Sequence, residues 1–445
     1  MSTPELPAVP RILVVGGGYV GMYAALRLGR RLHEGEATVT VVDPRSYMTY
    51  QPFLPEAGAG SIQPRHTVVP LRQTLRRTEV VTAWVEGVDH SRKVARVRPI
   101  EGEEYEIPYD VLLMAVGSVP RTLPIPGLAD WATGFKNVEE AIALRNKGLE
   151  SLDIAEGATD PEIRERALTF VFVGGGFAGV EAMAELEDLL RYATRYLRRV
   201  RPEDLRFVLV EASDRILPEV GEEMGRWTVE ALRERGIDVR LSTRLESTVG
   251  GVVQLSDGTT MLSDTVVWTA GVKAHPMLAA TDLPLDDRGR LRCTPDLRVD
   301  GVADAWGAGD CAAVPDLTRP GEFCQPSAQH AVRQAKVLAD NVVASLRGEP
   351  THDYRHANNG SVASLGLYKG VAQVKGVRLK GFPAWFLHRT YHMSKVPTLR
   401  RKVSVVTDWT IAFAFKRDVT SLWPTHEPLH DFSAIARGRL PSDPG

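Results

Sequence analysis

The chain carries one pattern twice, and that repetition limits what it can fold into more than any other feature. The first copy is Arg11-Ile12-Leu13-Val14-Val15-Gly16-Gly17-Gly18-Tyr19-Val20-Gly21, and the second is Thr169-Phe170-Val171-Phe172-Val173-Gly174-Gly175-Gly176-Phe177-Ala178-Gly179. Each begins as a short apolar run, the pattern of a strand buried on both faces. Each then breaks into glycines spaced G-x-G-x-x-G and continues with helical periodicity, in the first copy through Ala24, Ala25, Leu28 and Leu32. The first glycine permits a tight turn, the second lets a pyrophosphate approach the backbone, and the third lets the helix pack closely on the strand. The helix N-terminus then offers free N–H groups and the positive end of its dipole to phosphate.

A lone glycine fingerprint is weak, because an ordinary turn can carry it. Here strand 38–43 ends in Asp43, about 20 residues past Gly21, the distance at which a carboxylate holds the ribose hydroxyls of a dinucleotide. In the second copy the partner strand, 205–211, ends in Glu211. The chain therefore reads as α/β, with two Rossmann-like dinucleotide-binding domains. Glu211 is suited to both ribose hydroxyls of NADH and would repel the extra phosphate of NADPH, and the only nearby base is Arg215. NADH is the expected second nucleotide; the bland alternative is that Glu211 is a solvated strand end.

The 445 residues suffice for two or three domains, and a net charge of −2 gives no reason to expect nucleic acid. The three cysteines, Cys293, Cys311 and Cys324, are too few and scattered for a disulfide framework and are expected as small buried residues. No residue pattern calls for a metal. No signal peptide is expected from the start of the chain, and no apolar run reaches the ~18 residues that a membrane span needs.

Between the fingerprints, residues 50–55 read as a Pro-broken loop on a ligand. Residues 80–88 and 93–97 read as short strands, 109–118 as a buried strand running into a glycine turn, and 120–127 as a crossover between domains. A helix is expected over 139–152, then a polar stretch around Gly157, Asp160 and Pro161. The second fingerprint's helix is expected to run into the 191–199 region. Strands are expected at 239–241, 252–255 and 265–269. Residues 303–310 are small, glycine-rich and end in Asp310. Ser327 is placed to cap a long helix reaching about Leu346.

The tail differs. From Tyr354 to Thr407 there are ten Lys and Arg and no Asp or Glu, so the near-neutral total hides a segment of +10. Two helices are expected there, near 383–393 and 397–417. The second carries Leu399, Val403, Val406, Trp409, Ile411, Phe413 and Phe415 between the basic clusters Arg400-Arg401-Lys402 and Lys416-Arg417. That composition suits a helix in the headgroup region of an anionic membrane surface. A dimerisation or core-packing helix with a solvated basic face is the alternative.

Together with Ala115-Val116-Gly117-Ser118, Trp306-Gly307-Ala308-Gly309-Asp310 and Gln325-Pro326-Ser327-Ala328-Gln329, these features resemble the two-dinucleotide-binding-domain, glutathione-reductase-like flavoproteins. More narrowly, over residues 10–420, the chain resembles the type II, non-proton-pumping NADH:quinone oxidoreductases. The resemblance implies FAD in the first domain (8–120 with 290–350), NADH in the second (121–289), and a C-terminal membrane-association region (351–445) whose helices open a quinone tunnel. It implies hydride transfer from NADH to FAD and two electrons onward to a membrane quinone, menaquinone or ubiquinone. It implies a peripheral protein on the cytoplasmic side of the cell membrane; a homodimer is a further expectation.

Carried over by motif, Gly16, Gly18, Gly21 and Asp43 hold the FAD adenosine half, with Tyr19, Val20, Pro44, Arg45 and Gln51 as further cofactor contacts. Ala115, Gly117, Gly309, Asp310 and Ala328 lie along the flavin nucleotide. Gly174, Gly176, Gly179, Glu211 and Gly271 hold NADH. Glu181, just after the second glycine turn, and Gln329 are the catalytic candidates, with Gln325 and Gln329 at the quinone end. As a hypothesis, Glu181 protonates the quinone through Gln329 or water; its bland alternative is a first-turn carboxylate complementing the helix dipole. His388, Tyr391 and His392 could also lie on a proton route, but single aromatics and His on an amphipathic face are more often packing, and they are not taken as sites.

Two departures from the family pattern stand out. The loop Met48-Thr49-Tyr50-Gln51-Pro52 keeps the Gln-Pro but not the usual aromatic and His around it. The first tail helix is less apolar than usual, with His388, Arg389 and His392. A sulfide:quinone oxidoreductase is rejected because no Cys precedes Cys293, and a disulfide reductase because no Cys pair follows Gly21. Two readings outside the family stay open: a soluble reductase of a small iron–sulfur or other protein acceptor, and a flavin-based NADH-binding redox sensor.

Overall fold

Both fingerprints grow into parallel sheets, and the way the chain returns between them positions the site. In the computed structural model, which describes residues 9–357 and 360–421, the first sheet runs in the order 305–307, 111–114, 11–15, 38–43, 79–89, 94–99, 105–108. Its first five strands are parallel and the last two are antiparallel. The apolar run Arg11–Val15 is buried at four of its five residues, as a central parallel strand should be. Val15 pairs with Val42, so the Gly16 turn and Asp43 meet at the carboxyl end of the sheet, where open α/β sheets bind their ligands. Ala305–Gly307 closes this sheet from far along the chain. The helix that follows it, Ala328–Leu346, lies against the fingerprint helix Tyr19–Arg31. Arg27 reaches Asp340 with two 3.0 Å bonds and Arg347 reaches Glu36 at 2.6 Å across that pair.

The second sheet, all parallel, runs 132–133, 265–268, 169–173, 206–210, 238–240. The two units are joined by an antiparallel ribbon in which Ser118–Pro120 pairs with Val272–Ala274.

Several elements differ from the sequence reading. The loop at 50–55 is wound into a 3-10 turn, Gln51–Phe53, and a short helix, Leu54–Gly58, whose five residues are all buried. The polar stretch after the helix Val138–Gly157 contains a further helix, Pro161–Leu168, started by Pro161 and capped by Asp160. The second fingerprint helix, Phe177–Ala193, runs into the 191–199 region as expected and ends there in a 3-10 turn, Thr194–Tyr196.

The largest addition lies in the tail. A three-stranded antiparallel sheet, Gly360–Ser364, Gly370–Val374 and Val377–Lys380, precedes the helices and packs on Phe177–Ala193 and Glu222–Arg233. Lys375 and Gly376, both at positive φ, make the two-residue turn between its last strands. The inner tail helix, Phe382–Lys395, covers this sheet and buries Ala384, Trp385, His388 and Arg389. The outer helix, Leu399–Phe415, buries only Val405. Among the described residues no helix is long and apolar enough to cross a membrane.

Candidate functional site

The two glycine turns are built alike. A side chain on Gly21 would strike the Gly16 carbonyl oxygen at 1.8 Å, and one on Gly179 would strike that of Gly174 at 2.1 Å. Only glycine lets each helix seat this tightly on its turn. Gly16 and Gly174 themselves sit at φ 102° and 117°, where other residues are strained. Gly18 and Gly176, in contrast, face open space, and neither helix start has a side-chain cap. Each loop is braced by its strand-end acid. Asp43 accepts the Gly17 and Arg45 N–H groups at 2.6 and 2.7 Å. Glu211 accepts the Gly175 N–H at 2.6 Å and both the N–H and hydroxyl of Ser213 at 2.8 Å. Carboxylate oxygens have two lone pairs each, so both acids keep capacity for ribose hydroxyls. Burial, resisted by these N–H bonds, raises the pKa of Asp43. Open glycines, uncapped helix starts and braced carboxylates are the donor set that two dinucleotides require, and the residues present fit FAD and NADH.

Around the first loop, Tyr19 buries its hydroxyl without a partner among the described residues, and burial pushes its pKa well up. Val20 is buried and would lie 2.7 Å from any side chain on Gly309. Pro44 is half-buried, while Arg45 is exposed and points to Glu139 at 3.6 Å. Ala115 continues the sheet by donating to Val15 at 2.8 Å; Gly117 and Gly271, both at positive φ, face open space. The Gly309 N–H is held by Gln334 at 2.7 Å.

Where the ribbon crosses, a residue that sequence reasoning passed over ties four elements together. Lys136 donates to the carbonyl and hydroxyl of Ser118 at 2.5 and 2.7 Å, and Ser118 donates to Asp310 at 2.7 Å. Gln51 donates to the Lys136 carbonyl at 3.2 Å. Burial lowers the Lys136 pKa, against the pull of Asp310 and Glu140. Its only local signal is its place one residue ahead of a helix cap, Asn137, which says nothing about Asp310.

Ser327 caps the Ala328–Leu346 helix as expected, accepting the His330 N–H at 3.2 Å. Gln325 is exposed. Gln329 donates to the Gly360 carbonyl at 3.1 Å, and Glu181 accepts the Ser364 N–H at 2.8 Å. The two catalytic candidates therefore grip opposite ends of one tail strand, ~13 Å apart along it at strand rise. No hydrogen bond joins them among the described residues; their side chains bond different residues of that strand, Gly360 and Ser364.

What surrounds Glu181 comes instead from the tail. Its carboxylate lies 3.1 Å from His388 Nε2. One turn on, Glu185 accepts the Ser364 hydroxyl at 3.0 Å and pairs with Arg417 at 2.5 Å. Glu56, in the wound loop, pairs with Arg389 at 2.6 Å and accepts the Trp409 indole N–H at 2.7 Å. The Arg389 guanidinium sits between the rings of Trp385 and Trp409, at 4.3 and 4.8 Å. All three carboxylates are buried. Burial raises the Glu56 pKa, with Arg389 pulling the other way. Two expectations change here. Arg417 is a buried partner of Glu185 rather than part of a headgroup-facing cluster, and His388, for which both packing and a proton route were open, is buried against the Glu181 carboxylate. No spacing rule pairs residues 181 and 388.

Three comparisons bear on this arrangement. The family described as pyridine nucleotide-disulphide oxidoreductase matches residues 10–335. A type II NADH:quinone oxidoreductase of Staphylococcus epidermidis is 30% identical over 85% of this chain and 93% of its own. The type II NADH:quinone oxidoreductase Ndh of Mycobacterium tuberculosis is 28% identical over 98% of this chain and 94% of its own. Among solved structures, NDH2 from Plasmodium falciparum in complex with NADH superposes with a TM-score of 0.85 at 18% identity, covering 92% of this chain and 99% of that one.

Proposed function

From the premise that this chain belongs to the pyridine nucleotide-disulphide oxidoreductase family and, within it, to the type II NADH:quinone oxidoreductases, we propose how its own residues divide the work. The chain is an FAD enzyme that passes a hydride from NADH to the flavin and two electrons onward to a quinone, without pumping protons. FAD, when bound, supplies the redox chemistry; the protein supplies binding, orientation and proton positions.

The first glycine loop and Asp43 hold the FAD adenosine half, with residues 8–120 and 290–350 as its domain. The second loop and Glu211 hold NADH within 121–289. Lys136, Ser118 and Asp310 fix the crossing between them. Glu211 selects NADH, because both its oxygens are committed to the loop and cannot swing away from a 2′-phosphate. Glu181 serves the quinone step. The observation that carries this reading is the duplicated cradle: two open, uncapped glycine turns, each braced by its own buried-side acid.

Residues 351–445 form the membrane-association region. The outer helix exposes Leu399 (77%) next to Arg400, Arg401 and Lys402 at its start, and Phe413 (72%) and Phe415 (81%) at its far end. An apolar face edged by cations suits an anionic bilayer surface, which the chain would meet peripherally from the cytoplasmic side.

The test is anaerobic. Purified protein should show a flavin spectrum that bleaches with stoichiometric NADH and recovers with a short-chain quinone. Bleaching without recovery would move the acceptor to a protein or leave a redox sensor. Absence of flavin would overturn the assignment of the first glycine loop.

A further inference from the structure

The inner tail helix buries a histidine that membrane docking does not need. His388 is 2% exposed, with Nε2 on Glu181 and Nδ1 without a partner among the described residues. The groups facing it come from four segments: Glu181 and Glu185 on the second fingerprint helix, Glu56 in the wound loop, Arg389 and His392 on its own helix, and Arg417 beyond the outer helix. The three carboxylates are not equivalent. Glu56 and Glu185 are matched by arginines, which keep their charge at any working pH. Glu181 alone relies on a partner that can give its proton up near neutrality. Burial works against the His388 cation, but the hydrogen bond to Glu181 and the charges of Glu181, Glu56 and Glu185 outweigh it, and the pKa is raised. The pKa of the neighbouring His392, its ring 4.6 Å away, is driven well down by burial and by His388.

We propose that His388 is a positioning residue of the quinone half-reaction, holding on Nε2 the solvent-derived proton that Glu181 delivers. The proposal rests on the quinone reading above. The overall reaction, NADH + H⁺ + quinone → NAD⁺ + quinol, takes both electrons and one proton from NADH and a second proton from solvent. That second proton passes along the His388–Glu181 hydrogen bond to Glu181 Oε1 and from there to a quinol oxygen. Solvent then reprotonates His388, and no other oxidant or reductant is consumed. Arginine at this position would neutralise Glu181 equally well but could not release the proton, so a histidine there has a use that ion pairing alone does not explain.

The experiment follows re-oxidation of NADH-reduced holoenzyme by a water-soluble quinone in a stopped-flow instrument, from pH 5.5 to 9, in H₂O and D₂O. In the wild type the rate should fall along one ionisation as pH rises, with a solvent isotope effect. His388→Gln should slow re-oxidation about 100-fold at pH 7, the scale of one lost proton-transfer group, and should flatten the pH profile. The loss should fall on this step and not on flavin reduction by NADH. His388→Lys keeps a cation against Glu181 and should bind flavin normally, with the limb displaced to higher pH. A wild-type pH profile and isotope effect in either variant overturns the proposal. So does an equal slowing in both variants with an unchanged profile, which would mark a structural role. If His388→Gln does not fold, His388→Lys decides alone by whether its limb moves. Wild-type enzyme that NADH reduces but quinone does not re-oxidise overturns the quinone reading itself, and this role with it.

Discussion

Glu211 illustrates how one side chain serves both loop and ligand. It accepts N–H groups from Gly175 and Ser213, so it is oriented before any nucleotide arrives. A carboxylate fixed in that way cannot relax around a third phosphate. Glu211→Ala should therefore raise the NADH KM by about tenfold, ~1.4 kcal/mol, and narrow the gap between NADH and NADPH; steady-state kinetics with both nucleotides checks this. Unchanged discrimination would mean that the acid is only a loop brace. At the same scale, Lys136 shows what local reading misses. Its neighbours in sequence predict a helix cap, which it precedes, while its partner Ser118 comes from the crossing ribbon and Ser118's own partner Asp310 from the 3-10 turn Gly309–Cys311.

Elements here are fastened to one another by charge. Arg417 and Glu185 are both buried, with side-chain exposures of 6% and 0%, and Arg417 also donates to Ser61 at 2.9 Å. Removing one partner of such a pair strands the other in a low-dielectric interior. Arg417→Ala should cost about 3–5 kcal/mol, read as a lower midpoint in urea with flavin bound. The double variant Arg417→Met/Glu185→Gln should recover part of it. A second fastening behaves differently. Glu36, on the loop after the first fingerprint helix, has its pKa lowered to about 2, first by the hydrogen bond from Arg347 and then by the His33 N–H. A carboxyl lower in the folded state than in the unfolded stabilises above about 4.5 and loses that contribution as pH falls toward 2. The melting temperature of wild type should therefore drop more steeply between pH 5 and 3 than that of Glu36→Gln. Parallel curves would show that the pair contributes nothing.

For the whole molecule, the decisive relation is between the two nucleotide units and the tail. The tail's positive charge is used in two directions. Arg389 and Arg417 turn inward to Glu56 and Glu185, while Arg400 stays exposed beside Leu399 and Val403. Vesicle binding should then be strong on anionic lipid, weak on neutral lipid, and reduced by salt. Arg400→Gln/Arg401→Gln/Lys402→Gln should weaken it about 100-fold, at ~1 kcal/mol per cation near the surface, measured by co-sedimentation. Salt-insensitive dimerisation through the same face, seen by light scattering without vesicle binding, would overturn the membrane reading.

The glycine turns, the acids that end their partner strands, the Ser327 cap and the apolar central strands are all determined by the sequence alone. Each is a matter of neighbouring φ/ψ values or of a periodicity within some thirty residues, so the string of residues states it directly. The tail sheet was not read from the sequence, because its apolar stretches are too short and mixed to be told from loop. Glu181 could be named from its motif, yet its partner could not. Arg417 was read as one of the basic residues bracketing an amphipathic helix, which favours a lipid-facing place, and His388 as packing with a proton route left open. The tertiary structure alone decided that they turn inward. Three carboxylates buried by the packing of the wound loop and the second fingerprint helix must be neutralised, and the residues able to do it arrive from the far end of the chain.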